Sequence, residues 1–251
     1  MSSIERTSAG NIIPKEKKEY NERLFKKGWR KYLHESRYLW LNNKMRQLNI
    51  VSPSILELGC FDAKTIDYLP FGFSRYVGYD ANWEGGLIAG QQRWKDDPKV
   101  QLIESHQLNK FNTSDEQFDC SVAMETLEHL PLSELESYID KIASATKQYF
   151  FVSVPYEKGI PLLTKYLFKA IRRKVDEPYS LSELYHATTG DVTKVKRVEG
   201  GHKGFDHKQL IDLLAKYFDV VEVIGLPFTS APLGVNFSVA VLAKARIPQY
   251  K

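Results

Sequence analysis

Short apolar runs alternate with segments of helical period along most of the chain. Ile55, Leu56 and Leu58 in SILELGC form a run that suits a strand buried on both faces of a parallel sheet. SRYVGYD at 74–80, VQLIE at 100–104, FDCSVA at 118–123 and YFFVSV at 149–154 repeat the pattern. Between these runs, Ile66 and Leu69 predict a helix that Pro70 closes. Residues 82–94 predict a second helix, weakened at its start by Gly85-Gly86. Leu135, Ile139, Ile142 and Ala143 share one face of a third, for which Ser133 and Glu136 fit a capping box. Upstream, residues 14–48 predict two helices. Tyr20, Leu24 and Phe25 lie on the first; Tyr32, Leu33, Leu39, Trp40 and Met45 on the second. Residues 1–13 are polar and are expected to be loosely ordered.

The alternation breaks at residues 156–201. A connection this long predicts an insertion with its own helices, placed as a lid. Leu162, Leu163, Tyr166, Leu167, Ala170 and Ile171 make an apolar stripe there, and Lys165, Lys169, Arg172, Arg173 and Lys174 cover another side. That composition fits a surface helix docked on the core, a basic lid over an anionic acceptor, or a helix making weak interfacial contact with a membrane. After a glycine-rich turn at 200–204, Asp206 is placed to cap a helix, with Gln209 at its third position and Phe205 stapling Leu210. Residues 220–226 and 235–243 are the last two strands. No helix-length segment separates them, so they can pair antiparallel. The pattern predicts a doubly wound α/β fold, seven strands wide, with ligands at the carboxyl ends of the strands. Its organisation is an N-terminal helical segment at 1–51 and one α/β domain at 52–251 carrying the insertion at 156–201.

Composition narrows this only a little. The 251 residues are 43% hydrophobic and 26% charged, as in ordinary globular proteins. A net charge of +4 permits an anionic partner without requiring nucleic acid. Cys60 and Cys120 are the only cysteines, which argues against a disulfide framework and for a reducing cytoplasm. No apolar run is long enough to span a bilayer, and the N-terminal residues lack the apolar stretch of a secretory signal. The oligomeric state is not legible.

The candidate chemistry lies at three strand ends. Glu57-Leu58-Gly59-Cys60 forms a strand-to-helix turn. Asp80 closes the second strand 23 residues after Glu57, where a ribose hydroxyl partner sits in nucleotide-binding βαβ units. The usual glycine-rich spacing would also place Gly at 61 and 63, but the chain has Phe61 and Ala63. A bulky Phe61 hinders close approach of a pyrophosphate, so a nucleoside cofactor without phosphates fits better than a dinucleotide. The third strand end carries Glu125, Glu128 and His129. On a helical turn, Glu125 and Glu128 share a face. Taken alone, these three residues also fit a solvated turn or backbone caps.

ILELGCFDA, VGYD and FDCSVAMETLEHLP resemble the first, second and fourth motifs of class I S-adenosylmethionine-dependent methyltransferases, over roughly residues 52–155. The resemblance implies their Rossmann-like seven-stranded sheet with an antiparallel last strand. It implies cofactor contacts from Glu57, Gly59 and Cys60 in the first turn and from Asp80, Ala81 and Asn82 after the second strand. Glu104, Ser105 or His106 would lie near the adenine and Met124 near the sulfonium. Arg37 or Tyr38 of the N-terminal segment would face the cofactor as a flap.

The M-E-x-L-E-H turn with a later Gly-His is similar to a narrower group, the ubiquinone-biosynthesis O-methyltransferases and, more distantly, the small-RNA terminal 2′-O-methyltransferases. In both, an E-x-x-E-H turn and a distant histidine are read as divalent-metal ligands. Carried over, the ligands and catalytic residues are Glu125, Glu128, His129 and His202. His207 and then His186 are the competitors for the last role. Carboxylates with imidazoles suit Mn²⁺, Fe²⁺, Co²⁺ or Zn²⁺ at least as well as Mg²⁺. Without a metal, His129 or His202 would serve as general base.

The implied reaction is methyl transfer to a hydroxyl of a small molecule or saccharide. The Lys/Arg-rich insertion favours a polar, anionic acceptor, whereas its apolar stripe allows a quinone precursor. Modification of RNA at a 2′-hydroxyl is disfavoured, since the basic residues are not interleaved with an obvious stacking platform. A non-catalytic binding module that keeps only the fold is the remaining class.

Overall fold

The computed structural model describes residues 28–106, 111, 117–172, 175 and 177–246, with the backbone of two short strands that pair antiparallel, Glu5–Arg6 and Ile12–Ile13. That pairing lies within the stretch expected to be loosely ordered. The helix expected over Tyr20, Leu24 and Phe25 lies outside the described residues, as do Arg173 and Lys174.

Seven strands form one sheet: β1 (Ser54–Leu58), β2 (Arg75–Asp80), β3 (Val100–Glu104), β4 (Phe118–Met124), β5 (Thr146–Pro155), β6 (Phe218–Leu226) and β7 (Ser238–Ala245). Their spatial order is 3-2-1-4-5-7-6. Strands β1 to β5 pair in parallel, and β7 runs antiparallel between β5 and β6. Side chains alternate between faces, so each face has its own core. On one, Leu56, Phe150 and Val241 pack with Leu135, Ile139 and Ile142 of α3 (Leu132–Ala145) and with Leu210 and Leu214 of α6 (His207–Tyr217). On the other, Ile55, Val122 and Phe151 pack with Trp40, Leu41 and Met45 of α1 (Trp29–Gln47) and with Leu87 of α2 (Gly86–Trp94). The continuous apolar runs of the sequence follow from this two-sided burial.

Three local expectations are corrected. The segment after β1 is a single 3-10 turn at Lys64–Tyr68 instead of an α-helix, because a left-handed Ala63 and Pro70 leave too few residues between them. Helix α3 begins at Leu132, so Ser133 is already inside it and makes no cap. Glu136 instead accepts hydrogen bonds from Lys216 Nζ at 3.0 Å and Tyr217 OH at 3.2 Å. A capping box does occur at Ser180 and Glu183, where the same S-x-x-E spacing is present. The cap expected at Asp206 is made: its carboxylate accepts from the Lys208 amide at 3.0 Å, and Phe205 and Leu210 share the core.

The insertion carries α4 (Gly159–Ile171) and α5 (Leu181–Thr189), which enclose a small core of Leu162, Ala187, Val192 and Val195. Only Leu162 and its neighbour Pro161 are buried on α4. Ile160, Leu167, Phe168 and Ile171 are exposed, so much of the predicted apolar stripe faces outward. No helix among the described residues is long and apolar enough to cross a membrane.

The strand order reverses between β1 and β4, the place where open α/β sheets bind ligands. Gly59 leaves β1 there with φ +74°, and the Gly59 and Cys60 amides donate to the Tyr79 carbonyl at 2.7 and 3.2 Å. A Cβ at Gly59 would lie 2.1 Å from Thr126 Oγ1, so the turns after β1 and β4 touch through a missing side chain. Beneath them Glu57 is 2% exposed. It accepts from Thr65 Oγ1 at 2.6 Å and from Tyr76 OH, tying β1 to β2 and to the 3-10 turn. Burial outweighs these hydrogen bonds and pushes the Glu57 carboxyl up to about 8.

Two outcomes follow from this packing. Gly59→Ala is destabilised by about 1–3 kcal/mol in thermal melts, from left-handed strain and the Thr126 clash together. Adding Thr126→Gly recovers only the clash, so the double variant is less destabilised than Gly59→Ala and Thr126→Gly summed. Glu57 has a higher pKa folded than unfolded, so its neutral form stabilises the fold, and that contribution is lost as pH rises from about 4.5 towards about 8. Urea midpoints of the wild type are therefore expected to fall across that window, and those of Glu57→Gln to fall markedly less.

Candidate functional site

The cradle is built from backbone. Phe61 and Ala63 hold the positive φ values, +49° and +58°, that the absent glycines would have taken freely. Asp80 holds this shape: its Oδ2 accepts from the Phe61 amide at 2.9 Å and its Oδ1 from the Asn82 amide at 2.7 Å. Burial raises the Asp80 carboxyl above its ordinary value, and these amides act against the rise. The Phe61 ring does not hinder the loop. It packs on Gly86, where a Cβ would lie 2.2 Å from the ring, and against Trp83. Ala81 is exposed, and Asn82 has φ +56° at the head of the next turn. Buried Cys60 sits under the turn, with its sulfur where a Cβ on Gly78 would be.

Glu104 pairs in register with Asp80 and binds the His106 ring at 2.7 Å, while the Ser105 amide donates to the Asp80 carbonyl at 2.8 Å. Met124 is buried on the α1 side of the sheet. Tyr38 is buried there too, stacked on Tyr68 at 5.0 Å, with the Arg37 guanidinium 5.1 Å from its ring.

The second half of the site follows β4. Glu125 takes φ +55° and its amide donates to the Ser153 carbonyl at 2.8 Å, which turns the chain sharply out of the strand. A 3-10 turn at Leu127–His129 follows. It brings Glu128 and His129 to His202, and one ligand atom from each lies within 4.8 Å of the other two. His129 and His202 have ring centroids 4.9 Å apart. Glu125, expected as a fourth ligand, is not in this group. His207 is buried against Tyr156, with burial lowering its pKa to about 4, and His186 lies near Asp191 in the insertion. Neither joins the group.

The histidines are oriented from behind. His129 Nδ1 lies 2.7 Å from the Gly200 carbonyl, and His202 Nδ1 lies 3.3 Å from Glu157 Oε1. Carbonyl and carboxylate oxygens only accept, so both Nδ1 atoms carry a proton and donate it, and each ring is held by its Nδ1 edge. Burial alone would raise Glu157, but Lys165 and His202 beside it hold its carboxyl at about 2. Burial, with the His202 ring adding to it, holds His129 below its ordinary pKa.

Glu128 is 0% exposed, and neither carboxylate oxygen has a hydrogen-bond partner among the described residues. Burial and the nearby Glu125 charge push its carboxyl well up, with its own backbone amide and then Arg37 acting in the opposite sense. Neutralising it by protonation still leaves two orphaned oxygens. A divalent cation would satisfy both the charge and the lone pairs. One carboxylate and two imidazoles with fixed tautomers are a fitting donor set for Mn²⁺, Fe²⁺, Co²⁺ or Zn²⁺. Glu125 Oε1 and Ser153 Oγ, at the ends of β4 and β5, are likewise buried without a hydrogen bond.

Sequence reasoning missed two residues here. Glu157 follows Pro155 closely at the end of β5, where an acidic residue at a strand end was a usable signal. Arg197 donates to the Glu128 carbonyl and across to the 200–203 loop, and nothing in its sequence context marks it.

No protein-family profile and no curated protein sequence matches the chain. Solved structures do match by fold. A S-adenosylmethionine-dependent methyltransferase from Clostridium acetobutylicum ATCC 824 superposes with TM-score 0.60 at 11% identity, covering 90% of this chain and 95% of the other. Magnesium protoporphyrin IX methyltransferase from Synechocystis PCC 6803, with bound SAH, gives 0.57 at 13%, covering 90% and 92%. N-methyltransferase NodS from Bradyrhizobium japonicum WM9, with bound S-adenosyl-L-homocysteine, gives 0.53 at 14%, covering 90% and 96%. The chain therefore has the Rossmann-like fold of class I S-adenosylmethionine-dependent methyltransferases.

Proposed function

We propose that this chain is a S-adenosylmethionine-dependent methyltransferase acting on a hydroxyl oxygen, with a divalent cation held by Glu128, His129 and His202. The observation that carries the reading is the orphaned Glu128 carboxylate beside two histidines of fixed tautomer, on a turn whose Thr126 packs against the Gly59 cradle. Asp80 ends β2 beside the Gly59 turn, and its carboxylate keeps lone-pair capacity for ribose hydroxyls beyond the Phe61, Asn82 and Trp83 amides that face it. The cofactor supplies an electrophilic methyl group, and a bound cation lowers the pKa of a ligated hydroxyl and fixes its direction. Gly200 and Glu157 hold the Nδ1 edges of His129 and His202, so the Nε2 atoms would be the ones to ligate the cation. Lys169 on α4 and Arg172 at its C-terminal cap support a polar or saccharide acceptor bearing negative charge. The exposed apolar residues of the same helix support a second reading, in which the acceptor is an apolar quinone precursor.

Calorimetric titration and transfer of radiolabelled methyl to a panel of hydroxyl acceptors test both halves. Asp80→Asn is expected to weaken cofactor binding at least tenfold, about 1.4 kcal/mol. Unchanged affinity would remove the ribose assignment. Glu128→Gln is expected to bind Mn²⁺ or Co²⁺ about 10–100-fold more weakly with cofactor affinity unchanged. Full turnover by wild-type protein in excess chelator would refute the cation's role.

A further inference from the structure

The proposed cation site is assembled from two pieces of chain about seventy residues apart. Glu128 and His129 come from the turn after β4, and His202 comes from a loop that closes the insertion. That loop is rich in glycine, and Gly200 and Gly204 both take φ +74°. Such a segment loses much freedom on folding and does not hold a histidine in place by itself. Something must fasten the loop to the turn.

We infer that Arg197 is the positioning residue that assembles this site; the inference rests on the cation reading above. Its guanidinium spans both pieces. Nη2 donates to the backbone carbonyl of Glu128. Nη1 donates to the Gly201 carbonyl at 2.8 Å and reaches the Lys203 carbonyl at 3.4 Å. The bonded carbonyls thus belong to one ligand residue and to the two neighbours that flank another. The Phe205 ring supports the group from one side, with its centroid 5.3 Å from the guanidinium carbon. Gly204 lets the loop close: a Cβ there would lie 2.9 Å from Arg197 Cα. The hydrogen bonds of Arg197 go to backbone carbonyls, so it acts through the backbone that carries the histidines. A planar fork with several N–H groups in fixed directions can serve carbonyls on two segments at once, and an ammonium on a flexible stem serves them less well. The loop keeps its own shape through the Val198 amide on the Lys203 carbonyl at 3.1 Å and the Lys203 amide on Glu177 at 2.9 Å, and it is tied to the turn by Arg197 and by His129 Nδ1 at the Gly200 carbonyl.

The test compares wild-type protein with Arg197→Met and Arg197→Lys after metal stripping. Co²⁺ binding is followed by calorimetry and visible absorption, with S-adenosylmethionine affinity and the melting temperature measured alongside. Arg197→Met is expected to lose about 10–100-fold in Co²⁺ affinity, the range for groups that orient metal ligands, while cofactor affinity stays within about twofold. Arg197→Lys is expected to fall between Met and wild type. In metal-free protein, the ring ¹⁵N resonances of His129 and His202 are expected to report Nδ1-H tautomers in wild type and mixed tautomers in Arg197→Met. Wild-type Co²⁺ affinity and ring resonances in Arg197→Met would overturn the inference, and so would equal losses of Co²⁺ and cofactor affinity, which mark general destabilisation. If Arg197→Met does not fold, Arg197→Lys decides, and undiminished Co²⁺ affinity there overturns the inference. Wild-type protein that takes up no Co²⁺ would bring down the cation reading first and this inference with it, an outcome separate from any effect of the variants.

Discussion

The turns that follow β1 and β4 meet at the point where the strand order reverses, and they meet because Gly59 has no side chain. A methyl group there would overlap Thr126, and the left-handed backbone at Gly59 would be strained by it as well. Everything proposed for the site hangs on that contact. It sets the Asp80-braced cradle beside the turn that carries Glu128 and His129. The same closeness recurs under the loop, where Gly78 makes room for Cys60 and Gly86 makes room for the Phe61 ring. Residues that look like losses from a glycine-rich motif are accommodated because glycines elsewhere yield the space.

Charge is distributed with equal economy. Glu57 and Glu128 are both buried, but they are handled differently. Glu57 has hydroxyl donors on both oxygens and is held up to about 8 by burial, so it behaves as a neutral brace between β1 and β2. Glu128 has no side-chain donor within hydrogen-bond distance among the described residues, the nearest being His129 Nε2 at 3.7 Å, and a carboxylate in that state is costly to keep in a protein interior. A buried carboxyl without a partner calls for one, which is the ground of the cation reading proposed above. Glu157 shows the third case. It is buried but matched by Lys165 and His202, and so stays ionised and able to orient a histidine.

The insertion joins these parts. Lys203 is buried and donates to the Pro178 carbonyl and to Glu183 of α5, and its amide donates to Glu177. The helices over the site are thereby fastened to the loop that brings His202. Lys165 of α4 reaches the carboxylate behind that histidine. A substrate that moves α4 or α5 would move the histidine's supports as well.

The strands, their parallel order and the position of Asp80 were legible because burial on both faces writes continuous apolar runs and because a strand end is fixed by its sequence neighbours. The turn with Glu125, Glu128 and His129 was legible for the same reason. Local detail was less so. The segment after β1 shortened to a 3-10 turn because Ala63 took a left-handed conformation that a non-glycine residue does not announce. Ser133 failed as a cap because the helix began two residues earlier than such a cap requires, at Leu132 after Pro131. By itself, then, the sequence determined the sheet and set the Gly59 turn, Asp80 and the turn with Glu125, Glu128 and His129 at strand ends, since these depend on periodicity and short-range spacing. Only the tertiary structure decided which of these side chains meet: Glu128 with His129 and His202, without Glu125, and with Glu157 and Arg197 behind them. Those contacts join residues far apart in the chain, and no local pattern encodes the distance between them.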